Sequence, residues 1–81
     1  MKAAFSHRFI RQYAALSEAR QAKFDKQLEF LLGNLRHPSL RAKKYDEARD
    51  IWQARLDRGY RFYFQIEGDT YRLLSVIPHP E

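Results

Sequence analysis

Four residues have the types and spacing to do chemistry together. Gln53 and Arg55 lie two apart, and so do Arg61 and Tyr63. In an extended chain the side chains alternate between faces with a period of two, so each pair shares a face. Asp57-Arg58-Gly59 lies between the pairs and reads as a turn, which would fold one segment back on the other. The product is a sheet face carrying two guanidinium groups, an amide and a phenol ring. Guanidinium pairs with phosphate, and both guanidinium and aromatic rings stack on bases, so the face suits RNA. The plain alternative is that Arg55 and Arg61 are solvated surface residues. Arg41-Ala42-Lys43-Lys44 adds a second basic group, which reads as a solvated loop.

Other reactive groups carry less. The chain has no cysteine and three scattered histidines, so neither a thiolate zinc site nor a histidine metal site is expected. Asp46 and Glu47 lie near Lys43, Lys44 and Arg49 and read as surface ion pairs. Trp52 alternates with Ala54 and Leu56, which makes it a core residue. His37, before Pro38 at a helix end, reads as structural.

The elements that must position the face follow from periodicity. Phe5, Phe9, Tyr13 and Leu16 recur at helical spacing, with Ser6 as a cap. Ser17-Glu18 opens a second helix with an apolar stripe of Phe24, Leu28, Leu31, Leu32 and Leu35. Lys23, Asp25, Lys26 and Gln27 form its polar side. Gly33-Asn34 weakens its end and His37-Pro38 stops it. Three strands follow: Ile51 to Leu56, Tyr60 to Ile66 and Tyr71 to Ile77, the last apolar on both faces and therefore internal. A short strand at Lys2 to Phe5 is weakly signalled. The expected fold is α+β, a single domain spanning 1–81: a helical hairpin packed on one face of a small, mostly antiparallel sheet, in the order β-α-α-β-β-β.

With 81 residues and a formal net charge of +5, the chain has room for one small domain with a field that attracts polyanions. No apolar run approaches the length of a membrane span, and the N-terminus lacks a secretion signal. A soluble, cytoplasmic protein is expected.

The order of these pieces resembles a known family. A helix pair leads into His37-Pro38-Ser39-Leu40 and the basic Arg41 to Lys44, then Asp50 to Leu56, then Gly59-Tyr60-Arg61-Phe62-Tyr63-Phe64-Gln65-Ile66. Nearly the whole chain is similar to toxins of the RelE/ParE superfamily, and the Gly-Tyr-Arg-aromatic strand is the most specific part. The resemblance implies a ribosome-dependent endoribonuclease that cleaves mRNA in the A site without metal or other cofactor. It implies that Arg61 holds the scissile phosphate, that Arg55 supports the same charge, and that His79 acts as general acid toward the leaving 5′-oxygen. It places Arg41, Lys43 and Lys44 on ribosomal RNA and Gln53 and Tyr63 beside the substrate. It also implies a cognate antitoxin, and the positive charge predicts an acidic wrapping segment. Gln53 stands where many members have lysine, and the chain as given stops at Glu81, before a segment in which members often carry a tyrosine. Two other readings are therefore a ParE-like inhibitor of DNA gyrase and a vestigial member that only binds its antitoxin.

Overall fold

The computed structural model describes residues 1–79. Strand β1 (Lys2–Phe5) leads into helices α1 (His7–Ala14) and α2 (Glu18–Gly33) and a 3-10 turn (Pro38–Leu40). Strands β2 (Lys43–Asp46), β3 (Ile51–Arg55), β4 (Tyr60–Glu67) and β5 (Thr70–Pro78) follow. The sheet order is β1-β5-β4-β3-β2. The last four strands form an antiparallel meander, and β1 joins β5 in parallel. No helix among the described residues is long and apolar enough to cross a membrane.

Both helices start where the sequence places them. Ser6 and Ser17 accept hydrogen bonds from the backbone N–H of Phe9 and Arg20, satisfying donors that a first helical turn leaves open. Phe5 is not part of the first helix; it ends β1 and is 42% exposed. The helices cover one sheet face through aromatic contacts, Phe9 to Phe24 and Phe24 to Phe62 edge-on at 5.2 Å, and within the sheet Phe64 meets Tyr71. Leu31, Leu40, Leu56, Leu73 and Val76 complete the buried core. Trp52 packs against that core and stacks on Phe64.

Three features depart from the sequence reading. The segment expected as a basic loop at Lys43 and Lys44 is the edge strand β2, giving five strands rather than four. Its four residues offer too short an alternation to register. Gln27, assigned to the polar side of α2, is buried. It sits three residues after Phe24 and four before Leu31, hence on the core stripe. Its amide donates to the carbonyls of Ser39 and Arg55 and accepts from the Ser39 hydroxyl, so burial leaves no hydrogen bond unmade. The third departure lies within β5, which is internal to the sheet as expected: its buried residues Tyr71 and Leu73 continue at Val76 and not at position 75. Opposite Tyr63 and Phe64 stand Ser75 and Leu73, and Leu74 is an extra residue. This bulge, not simple two-faced burial, makes the strand look apolar on both sides.

Helix α1 also closes the part of the β5 edge that short β1 cannot reach. The Ser6 hydroxyl donates to the Leu74 carbonyl, and the Gln12 side chain accepts from the Val76 N–H. Gln12→Leu strands that N–H at a cost of about 1–3 kcal/mol. Urea unfolding should show it; an unchanged midpoint would mean that water replaces the amide.

Candidate nucleic-acid interface

The face of the sheet away from the helices is built by β3 and β4. Their register sets Gln53 opposite Tyr63 and Arg55 opposite Arg61. Gln53 donates a hydrogen bond to the Tyr63 hydroxyl at 2.9 Å, and both residues are buried. The two arginines are therefore direct cross-strand neighbours, half-buried. Like charges placed so oppose pairing. Among the described residues no carboxylate pairs with either. The pair thus concentrates positive charge that no carboxylate among the described residues offsets, which is the electrostatic form of an anion site.

Arg61 is held in place by backbone. Its Nη1 donates to the carbonyls of Asp57 and Tyr60 at 2.8 and 2.9 Å, which leaves Nε and Nη2 protons to point at a ligand. Those carbonyls belong to a turn that Asp57 organises. The Asp57 carboxylate accepts from the N–H groups of Gly59 and Tyr60 and from Arg20 Nε on α2 at 3.0 Å, with Lys23 Nζ at 3.8 Å. The Arg20 guanidinium also lies over the Tyr60 ring, 4.1 Å from its centre. Burial alone would raise the Asp57 carboxyl, but the Gly59 N–H and the Arg20 and Lys23 charges outweigh it and hold the group below its ordinary value. On the other strand, Gln27 of α2 grips the carbonyl of Arg55. Helix α2 therefore fixes the backbone behind both arginines.

His79 is half-buried, and its backbone N–H donates to the Gly59 carbonyl at 2.8 Å. Because Arg61 faces Ile77 in the β4–β5 ladder, His79 stands beside the same hairpin end as Arg61. Lys43 faces Gln53 across the β2–β3 ladder and is exposed. Lys44 is placed differently. It pairs with Trp52, so it lies on the helix side of the sheet, with Nζ over the Trp52 ring and paired to Asp50 and Glu47. The Asp50 hydrogen bond holds its ammonium above its ordinary value. Arg41 is exposed in a left-handed conformation before β2, with φ 47°. The structure thus gathers Gln53, Arg55, Arg61, Tyr63, Lys43 and the chain near His79, and sets Lys44 apart. Among the described residues no cluster fits a metal ion.

Sequence reasoning missed Asp57 and Arg20 as the supports of this site. An aspartate two residues before a turn glycine is a signal for a side-chain-to-backbone turn; the helix partner gives no local signal.

No protein-family model matches the chain, and no curated protein matches it in sequence. Solved structures do match its fold. A YoeB/ParE toxin from Agrobacterium tumefaciens superposes with a TM-score of 0.83 at 14% identity, covering 99% of this chain and 100% of that one. The isolated E. coli RelE toxin gives 0.78 at 19% identity over 99% and 85%. The archaeal RelE–RelB complex from Pyrococcus horikoshii gives 0.80 at 16% identity over 95% and 92%.

Two outcomes test this site. Asp57→Asn should lower stability by about 1–3 kcal/mol near neutral pH. Because the folded carboxyl titrates low, its contribution is complete above 3.8 and is lost as pH falls through the lower folded value. The gap between wild type and variant should then close in acid, and a gap independent of pH would contradict the assignment. Arg55→Gln should leave thermal stability unchanged or raised at low salt, by up to ~1 kcal/mol, with the gain fading in high salt; a loss would mean that Arg55 supports the fold. Two helices packed on a five-stranded mixed sheet give this chain the fold of the RelE and YoeB toxins to which it is similar.

Proposed function

We propose that this protein is the toxin of a toxin–antitoxin system and acts as a metal-independent endoribonuclease on mRNA held in the ribosomal A site. The observation that carries the reading is the Arg55–Arg61 pair, two cations facing each other with no counter-ion among the described residues. A phosphodiester in attack is the group such a pair fits. The 2′-hydroxyl of the RNA gives its proton to water and attacks the adjacent phosphorus, a P–O2′ bond forms, and the P–O5′ bond breaks. The phosphorane between these events carries more negative charge than the ground state. The Arg61 guanidinium favours it selectively, because two carbonyls already orient it when the charge develops. Arg61, clamped by two carbonyls, is the primary phosphate ligand, and Arg55 adds to the same charge. His79 lies at the hairpin end where an imidazolium can pass its proton to the leaving 5′-oxygen. Gln53 and Tyr63 shape the floor of the site. Lys43 and Arg41, both exposed, suit ribosomal RNA backbone, and Lys44 does so only by releasing Asp50.

The fold neighbours support the toxin part of this reading. They include RelE and YoeB toxins and complexes of such toxins with RelB and YefM antitoxins. The partner proposed here is an antitoxin whose acidic segment lies over the open sheet face and supplies the missing counter-charge. A ParE-like action on gyrase is the other reading. Fold does not separate the two, and the arginine pair favours RNA.

Primer extension on a message translated in a purified system tests the function. Wild type should give cuts within A-site codons that require ribosomes, and Arg61→Ala should reduce their rate by about 100-fold or more without loss of fold. Absence of cuts with folded wild-type protein, together with gyrase-dependent DNA breaks, would establish the other reading.

A further inference from the structure

The open face has a second feature beside the arginine pair. Two of its strands carry an extra residue, and both extra residues border one hollow. In β2, Lys44 faces Trp52 and Asp46 faces Ile51, which leaves Tyr45 as the extra residue. In β5 the extra residue is Leu74. Bulges re-aim side chains and concentrate near functional sites. Here they bound an opening of about 200 Å³ lined by Tyr45, Leu74, Tyr63, Ile77, Ser75 and Arg8, among others.

The chemistry of the lining is specific. Tyr45 is 61% exposed although aromatic, and among the described residues its ring contact is edge-to-face with Tyr63 at 4.9 Å. Ring surface therefore remains open to a flat ligand. Ile77 is also exposed and gives an apolar wall. Arg8 on α1 is exposed and makes no ion pair or hydrogen bond with the described residues, so its guanidinium is free at the rim. Tyr63 joins the hollow to the cation pair, because it bonds Gln53, the neighbour of Arg55 on the same face. An aromatic platform with an aliphatic wall, a free cation at the rim and a phosphate site alongside is the pattern of single-stranded nucleic-acid recognition.

We infer that Tyr45, with Ile77 and Arg8, forms a nucleobase-stacking subsite that holds a base next to the phosphate bound by Arg55 and Arg61. The inference rests on the ribonuclease reading and adds to it a grip that depends on the base, separate from the charge that drives cleavage. Tyr45 is then a positioning residue for the substrate.

The test measures binding of a short fluorescein-labelled oligoribonucleotide to the free protein by anisotropy, alongside ribosomal cleavage. Tyr45→Ala should weaken binding about five- to a hundred-fold, the range of one base–aromatic stack, and Tyr45→Phe should stay within about twofold. Replacing bases one at a time by abasic sites should reveal one position whose loss weakens wild type and leaves Tyr45→Ala unaffected, a coupling that a merely structural role for Tyr45 does not produce. Equal binding by wild type and Tyr45→Ala, or no binding by wild type, overturns the subsite. Cleavage on ribosomes decides the function separately: wild-type cutting that persists in Tyr45→Ala with unchanged half-saturation removes the subsite alone, whereas no cutting by wild type removes the ribonuclease reading.

Discussion

The Asp57 carboxylate is the point through which helix, turn and open face are connected. It is mostly buried, with 12% of its side chain exposed. Burying a carboxylate is costly unless its oxygens are all engaged, and here they are: two backbone N–H groups on one oxygen, Arg20 and Lys23 on the other. The consequence is geometric. The turn that brings β4 back along β3 is held from the helix side, and its carbonyls hold Arg61 on the opposite side. Gln27 does the same for the β3 backbone at Arg55. One helix thus supports two cations that it does not touch.

That support is needed because the open face works against the fold. Cross-strand arginines repel, an exposed tyrosine forgoes burial, and two bulges interrupt the ladders. Each is a small cost in a domain with a thin stability margin. The cost is offset elsewhere: by the aromatic chain from Phe9 through Phe24 and Phe62, by serine caps on both helices, and by α1 completing the edge of β5. Departures from local consistency that gather on one surface mark function more reliably than any one residue there.

Much of this was legible in sequence because it is periodic. The helix starts at Ser6 and Ser17, the strands from Ile51, Tyr60 and Tyr71, and the shared face of Gln53, Arg55, Arg61 and Tyr63 all follow from spacing. What escaped is what spacing does not encode. Strand β2 is too short to alternate, and it exists because β3 offers it a paired edge. Gln27 looks polar and is buried because Ser39 and Arg55, from two later segments, satisfy its amide with three hydrogen bonds. Tyr45 lies on β2, so its face could not be counted, and the bulge at Leu74 shifts the alternation of β5 by one residue. The Arg20–Asp57 link spans the helical and sheet halves of the chain and has no local signature.

The central claim is that the open face receives the substrate RNA. Amide chemical-shift mapping during titration with an oligoribonucleotide tests it most directly. The account predicts perturbations at Gln53, Arg55, Arg61 and Tyr63, spreading to Tyr45 and Ile77, and none in the apolar groove that Ile10 and Tyr13 of α1 line with Leu28 of α2. Perturbations centred on that helical groove, with the sheet face silent, would contradict it.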